Sequence, residues 1–425
     1  MLHVRTSEPY TPRKRISNLL PSTSMRTLLM LVVASVALSF YGALHYWMGR
    51  RLIGPLRGAS RRQRILWLGI AMVAVLSILG MTVGRLTPRT PWVASVQWVG
   101  FLAMGWMTVT VGMIVVRDLL LGVYTLVQRF TTPTPLHDDA EQQQAFASRR
   151  RFLRNASSLA VVGASSSLSA NGVRSARETA ALKYVEIPIR DLDPALQGFK
   201  IVQLSDIHVG DTIRRDYFQR IVDRTMTVGA DLIVITGDLV DGRVADLKDD
   251  VAPIRQLAAP QGVFFITGNH EYYSGPLEWI EHLRSIGIDV LLDEHRVLTH
   301  KGANIVLGGI TDHSASRIVK EHTADPKKAF AGAPQGPLRI LLAHQPRSYP
   351  RAQGLGVHLQ LSGHTHGGQI WPFGLLVPFQ QRFIAGLHKV WGSMWIYISR
   401  GTGYWGPPMR VASPSEITVI TLRGS

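Results

Sequence analysis

"DLIVITGDLVDG", residues 231–242, is the stretch that decides the fold. Leu232 to Ile235 form an uninterrupted apolar run, which suits a strand buried on both faces. Two carboxylates, Asp238 and Asp241, leave its tip, with Gly237 and Gly242 on either side. Asp and Gly are common turn formers, so alone the junction reads as an ordinary loop. The neighbouring strands decide between a loop and a site.

Working outward, "FKIVQLS" (199–205) and "GVFFIT" (262–267) are apolar runs of the same kind. Between them Phe218, Ile221, Val222 and Thr225, then Leu247, Val251 and Ile254, recur at helical spacing. "LEWIEHLRSIG" reads as a further helix, and "NIVLGGI", "LRILLAH", "HLQLSG", "MWIYIS" and "EITVITL" read as strands. Helices between the early strands, followed mostly by strands, predict an α/β domain of two packed mixed sheets flanked by helices. It begins near Lys183 and runs to residue 425.

Each early strand ends in polar residues able to hold a metal. After "IVQLS" come Asp206 and His208, and after "LIVIT" come Asp238 and Asp241. After "VFFIT" come Asn269, His270 and Glu271, "ILLA" ends in His344, and "LQLS" leads to His364 and His366. One histidine at a strand end is usually a satisfied loop residue, but five such ends point to a shared site, because ligand sites of α/β sheets gather at one end of the strands. Asp312 and His313, after "LGGIT", read as loop residues. The chain has no cysteine, so a metal here must be held by His, Asp, Glu or Asn. Arg400 and Arg410 flank "GTGYWGPPM" and either clamp a diphosphate with bidentate geometry or are ordinary surface arginines.

The front of the chain has another character. Residues 1–177 hold 21 of the 46 Lys and Arg but only 5 of the 29 Asp and Glu. The remaining 248 residues are nearly neutral, so the back half carries no electrostatic footprint for a nucleic acid. Thr27–Met48, Ile65–Gly84 and Trp92–Val116 contain no Lys, Arg, Asp or Glu over 22, 20 and 25 residues. Each is long enough to cross a hydrocarbon core of about 30 Å. The expected organisation is a basic segment 1–26, a transmembrane region 27–128, a linker 129–182 and the α/β domain from 183. Arg50, Arg51, Arg57, Arg61, Arg62 and Arg64 put the first connection in the cytoplasm, and the weakly basic second one, around Arg85 and Arg89, outside. Five basic residues before Thr27 argue the other way. "SRRRFLRNASSLAVVGASSSLSANG" (148–172) resembles a twin-arginine export signal. If it acts as one, the segment from Asn155 is a fourth span and the back domain is outside; if it is a basic linker, the domain is cytoplasmic.

The order D-x-H, G-D-x-x-D, G-N-H-E, H, G-H-x-H resembles the calcineurin-like metallophosphoesterase family, from about Lys183 to the C-terminus. "GNHEYY", "LLAHQP", "SGHTHGGQIWP" and "SRGTGYWGPPMR" resemble a narrower branch, bacterial membrane-associated phosphoesterases that include UDP-2,3-diacylglucosamine hydrolases of lipid A biosynthesis. The resemblance implies a four-layer α-β-β-α sandwich and two divalent ions, manganese foremost, with iron or zinc as alternatives. It implies that Asp238 bridges the two ions, that Asp206, His208 and His366 complete one, and that Asn269, His344 and His364 complete the other. His270 would serve the leaving group, and Asp241 would orient a ligand. Two such ions acidify water and offset phosphoryl charge.

Tethering favours a substrate in the same bilayer, so the expected activity is hydrolysis of a phosphoester or diphosphate on a lipid-linked molecule, at a bacterial cytoplasmic membrane. Trp371, Phe373, Trp405 and Met409 would suit an apolar lip there. A general phosphodiesterase or monoesterase, and a non-catalytic membrane scaffold with degenerate ligands, are the alternatives; no ligand position is degenerate.

Overall fold

The computed structural model describes residues 23–87, 90–131 and 140–425. The basic residues expected before position 22, and Arg89 of the second connection, lie outside the described residues. Four long helices come first: α1 (Thr23–Leu52), α2 (Arg61–Leu86), α3 (Pro91–Thr131) and α4 (Ala140–Arg177). Among the described residues three helices, α1 to α3, are long and apolar enough to cross a membrane.

α2 and α3 form a hairpin in which Gly80 packs on Gly100 and Gly84 on Gln97. Small residues allow this close approach. α3 does not stop near Arg117, where the span was expected to end. Arg117 Nη2 donates to Asp118 (2.8 Å), and Arg51 Nε of α1 donates to the same carboxylate (2.6 Å), so the charges are paired and the helix continues.

The segment expected as a linker with a possible fourth span forms the helix α4. It runs back along α3: Arg117 Nη1 donates to Ser158 Oγ (3.4 Å), Trp106 Nε1 to Ser166 Oγ (3.1 Å), and Arg177 stacks on Trp98. Its serines hid it from a hydropathy reading, yet small side chains are what let it lie against α3.

The α/β domain follows. Its elements are β1 (Ala181–Ile189), β2 (Lys200–Leu204), α5 (Arg215–Met226), β3 (Leu232–Ile235), α6 (Val244–Val251) and β4 (Val263–Phe265). Next come α7 (Asn269–Tyr273), α8 (Pro276–Ser285), β5 (Asp289–Val290), β6 (Glu294–His300), β7 (Ala303–Gly309), α9 (Pro326–Ala329) and β8 (Leu338–Leu342). β9 (Leu359–Ser362), β10 (Gly386–Trp391), β11 (Met394–Ile398) and β12 (Glu416–Gly424) complete it.

The strands form two six-stranded mixed sheets, in the orders β1-β12-β2-β3-β4-β5 and β10-β11-β9-β8-β7-β6. β2, β3, β4 and β5 are parallel, as are β7, β8, β9 and β11. Alternate residues face opposite ways along a strand, and here both faces are buried. Ile201, Leu232 and Val234 of the first sheet meet Ile305, Ile340 and Leu361 of the second in the central layer. Val202, Ile233 and Ile235 turn outward onto Phe218, Leu247 and Leu283 of the helices. On the far side Val306, Leu341 and Ile396 pack under Phe330 and Tyr349. The result is the expected α-β-β-α sandwich.

Candidate dinuclear metal centre

β2, β3 and β4 of one sheet and β8 and β9 of the other deliver their C-terminal ends to one edge of the sandwich. The loops after them are bonded to each other: Asp206 N donates to Gly237 O (3.0 Å), and His208 N to Asp238 O (3.1 Å). His270 N donates to Asp238 Oδ1 (2.8 Å), and His364 N to Asp206 Oδ1 (2.9 Å), which fixes both carboxylates. Asp206, His208, Asp238, His364 and His366 all have left-handed backbone, with φ between 51° and 71°. Such a conformation costs a non-glycine residue about 1–3 kcal/mol and persists only where the surroundings enforce it. Gly237 also has positive φ (91°), and a Cβ there would lie 2.5 Å from Gly268 N and 2.8 Å from His344 Nδ1. Only glycine fits between the two ligand loops.

The side chains converge on two points. At one, His208 Nε2 and His366 Nε2 are 3.0 Å apart, with Asp206 Oδ1 3.5 Å from His366 Nε2. At the other, His344 Nε2 lies 3.2 Å from both Asp238 Oδ2 and His364 Nδ1. Asp238 Oδ2 is also 3.8 Å from His208 Nε2, so this carboxylate stands between the two points. The remaining nitrogens are held from behind: His344 Nδ1 donates to Thr236 O (2.7 Å), and His208 Nδ1 pairs with Asp241 Oδ1 (3.1 Å). Asn269 Oδ1 is buried and has no hydrogen-bond partner among the described residues. A buried unpaired acceptor is costly unless something cationic meets it.

Charge regulation fits the same purpose. Burial, helped by His344, holds His364 down at about 4, and burial with His208 and Arg410 drives His366 well below the ordinary imidazole range. Both are neutral imidazoles, the form that ligates metal. Burial alone would raise Asp238, but His344 and His270 hold it well below the usual carboxylate range. Burial would lower His344, but Asp238 holds it well above the ordinary imidazole range. A donor set of imidazoles, carboxylates and an amide oxygen without thiolate suits two divalent ions such as manganese, iron or zinc.

His270 lies beside these points. Its Nδ1 pairs with Asp241 Oδ1 at 2.5 Å, and its Nε2 is 4.0 Å from Asp238 Oδ2. Burial would lower its pKa, but Asp238 and Asp241 push it up to about 9, so the ring is an imidazolium near neutral pH. Asp241 therefore touches both His208 and His270.

Glu271, one of the strand-end residues able to hold a metal, ties the ligand loops together. Its buried carboxylate accepts from Gly268 N (2.6 Å), Leu239 N (2.8 Å) and Asp238 N (3.0 Å), tying the Asp238 loop to the Asn269 turn. Burial and the charge of Asp238 push it up to about 7. It reaches back from the third helical position to the Gly268 N–H, the half of a capping box that a Glu supplies; the cap itself, a glycine, has no side chain to return the bond.

Arg400 and Arg410, read from sequence as either a diphosphate clamp or surface arginines, differ in their placement. Arg410 is buried, and its guanidinium donates to the carbonyls of His366 (2.8 Å), Arg400 (2.7 Å) and Gly403. It pins the 400–413 loop to a ligand histidine and has no free face for a phosphate. Arg400 Nη1 pairs with Glu416 (3.3 Å). Asp312 is buried and accepts from Gln345 Nε2 (2.8 Å) and Ser314, so it is a satisfied loop residue as expected. Met409, expected in an apolar lip, is buried against α3.

A cleft of about 740 Å³ opens beside the centre. His208, Asp241, His270, Tyr273 and Trp405 line one wall; Met81, Gly84 and Thr87 from the end of α2, and Gln97, Phe101 and Met104 from α3, line the other. The helical hairpin thus forms part of the site.

This fold, with two ligand clusters at the strand ends, defines a metal-dependent phosphoester hydrolase. Residues 199–368 match the family described as calcineurin-like phosphoesterase, and the chain belongs to the calcineurin-like metallophosphoesterases. It is 34% identical over 399 residues to a transmembrane protein with metallophosphoesterase domain of Danio rerio, covering 91% of this chain and 87% of that one. A similarly named protein of Bos taurus is 38% identical over 268 residues, 61% of this chain and 60% of that one. An uncharacterized metallophosphoesterase of Bacillus subtilis (strain 168) is 30% identical over 290 residues, 65% of this chain and 98% of that one. The relatives thus include animal as well as bacterial proteins.

Proposed function

We propose that the chain is a membrane-anchored hydrolase that cleaves a phosphoester or diphosphate bond of a lipid-linked molecule. The observation that carries this reading is the cleft shared by His270, Asp241 and His208 with Met81, Phe101 and Met104. Apolar side chains of two helices able to span a bilayer line the same cleft as the reacting groups. A substrate whose phosphate sits at the centre would then lay its apolar part against α2 and α3 without leaving the membrane. A UDP-2,3-diacylglucosamine-like molecule and a polyprenyl-linked phosphate both have this shape, and relatives named as transmembrane proteins are consistent with the anchoring.

Asp206, His208 and His366 would hold one divalent ion, Asn269, His344 and His364 a second, and Asp238 both. When bound, the pair supplies Lewis acidity toward phosphoryl oxygens and lowers the pKa of water. Asp241 holds the His270 ring by Nδ1, so the Nε2 proton is the one offered to the leaving-group oxygen. Glu271 and Arg410 keep the ligand loops in their strained conformation.

The cleft uses the α2–α3 turn end of the bundle. The opposite end carries Arg50, Arg51, Arg57, Arg61, Arg62, Arg64 and Arg117. Positive-inside orientation puts that end in the cytoplasm and the catalytic domain on the outer face, with α4 returning the chain beside α3 as a fourth crossing.

The test is product analysis. The full chain, reconstituted in vesicles with manganese, is incubated with lipid-linked diphosphates and with soluble bis-phosphoesters, and released head groups are identified by mass spectrometry. Release from a lipid-linked substrate supports the proposal. Turnover of the soluble esters with every lipid-linked substrate untouched refutes it in favour of a general phosphodiesterase.

A further inference from the structure

The helical wall of the cleft consists of Met81, Gly84 and Thr87 from α2 with Gln97, Phe101 and Met104 from α3. Met81, Phe101 and Met104 are apolar, and the Thr87 hydroxyl donates to Val83 O (2.6 Å). Among the described residues Gln97 is thus the one amide side chain on that wall. It is buried and lies inside the charge-free run Trp92–Val116. Its Oε1 has no hydrogen-bond partner, and no described residue accepts from its Nε2. The side chain reaches across to α2, where a Cβ on Gly84 would collide with Nε2.

A polar side chain in a spanning helix usually bonds a neighbouring helix. Gln97 does not, and a buried polar group without a partner is costly. Tyr41, His45, Thr110, Ser165 and Ser169 of the bundle also carry a buried unpaired atom, but none of them lines the cleft. Gln97 does, on the wall that faces His208, Asp241 and His270. Ligand sites are apolar clefts in which a few polar groups fix orientation, and one amide among Met81, Phe101 and Met104 has that pattern. Its depth says what it meets. The 25 residues Trp92–Val116 make about 37 Å of helix and overhang a hydrocarbon core of about 30 Å at both ends. Gln97 is five residues, about 7.5 Å of rise, from Trp92, just inside the core boundary at the α2–α3 turn end. The cleft opens at that same end. Acyl chains join their head group at this boundary through ester or amide carbonyls, which accept hydrogen bonds. A prenyl chain offers no acceptor below its phosphate.

We propose, resting on the reading of the cleft as the site of a lipid-linked substrate, that Gln97 is a specificity-determining residue. Its Nε2 donates to a carbonyl by which the substrate's acyl chains are attached. The bond selects acyl-linked phosphates over ether-linked and prenyl ones, and it sets how far the phosphate reaches toward the metal points.

The full chain and its Gln97→Met variant, reconstituted in vesicles with manganese, are given three probes: UDP-2,3-diacylglucosamine, its 2,3-dialkyl ether analogue and farnesyl diphosphate. The native chain should show kcat/KM about 10–100-fold higher on the diacyl than on the dialkyl probe, the range for one hydrogen bond whose loss leaves a buried group unpaired. In Gln97→Met that preference should disappear, because the donor and the carbonyl belong to one bond and their removals do not add. Met keeps the length of the side chain and its packing on Gly84 while removing an unpaired amide, so thermal denaturation should occur at the same temperature or higher. Preference retained in the variant, or absent from the native chain, would overturn the assignment. A lower denaturation temperature with equal losses on the diacyl and dialkyl probes would give the amide to helix packing, which also overturns it. Cleavage of farnesyl diphosphate alone would overturn it while the lipid-linked reading stands. Cleavage of none of the three refutes that reading, and the role of Gln97 with it.

Discussion

Replacing His270 by Ala separates the proposed proton donor from the candidate metal ligands. The ring touches Asp241 through Nδ1 at 2.5 Å and approaches Asp238 only to 4.0 Å through Nε2. Removing it therefore leaves the seven ligand candidates in place, and Asp241 keeps His208 Nδ1 at 3.1 Å. The fold should lose about 1.5–3 kcal/mol, the net worth of a hydrogen bond to a charged group. Turnover of an alkyl phosphoester should fall by about 10²–10⁴-fold, the usual contribution of a positioned acid, which is about 2.7–5.4 kcal/mol of barrier. An ester of an acidic phenol leaves without a proton, so its loss should be much smaller. Metal stoichiometry and rates on both esters, measured for His270→Ala and His364→Ala, make the test. His364→Ala should lose metal and be slow on both. Equal losses on the two esters, or missing metal in His270→Ala, would refute the assignment of His270 to the leaving group.

Asp238→Asn nearly preserves shape but removes the charge that stands between the two ligand points. Metal content by mass spectrometry should fall, and turnover should fall by at least about a hundredfold. Arg410→Ala leaves several buried carbonyls without a donor, at about 1–3 kcal/mol each. Thermal denaturation should show a loss of at least about 3 kcal/mol, and metal retention at the His366 point should weaken, while a surface arginine would show neither. Protease added to intact spheroplasts should digest the catalytic domain if it is on the outer face; digestion only after lysis would put it in the cytoplasm.

The eight strands legible in the sequence are the eight interior strands of the two sheets. The four that were not, β1, β5, β6 and β10, are the four edges. The reason is physical. An interior strand here is covered by the opposite sheet on one face and by helices or loops on the other, so it reads as a continuous apolar run such as Leu232–Ile235. An edge strand is partly solvated: "EHRVLTH" of β6 and "GLHKVW" of β10 have no fully buried residue, and β5 is two residues long. Edge strands are kept short or charged because their free backbone groups invite further pairing, and those features erase the apolar signal.

The site divides along a similar line. Ligand candidates were legible because they are donors at the ends of apolar runs, a pattern local in sequence. What holds them was not, because it depends on contacts between distant segments. Glu271 binds amides more than thirty residues earlier, and Arg410 reaches a carbonyl 44 residues away. Arg410 shows why residue type alone misleads: the fork that suits two phosphate oxygens suits two carbonyls equally, and only burial tells which it meets. The far wall of the cleft is the extreme case. Phe101 and Met104 have the composition of any spanning helix, and nothing near them in sequence couples them to His270. That coupling follows from α4, whose serine-rich face lets it lie antiparallel on α3 and carry the catalytic domain back to the α2–α3 turn. A longer or looser connection would leave the same ligands and the same fold but an open site. The proposed substrate class thus rests on a helix that the sequence offered only as a possible fourth span.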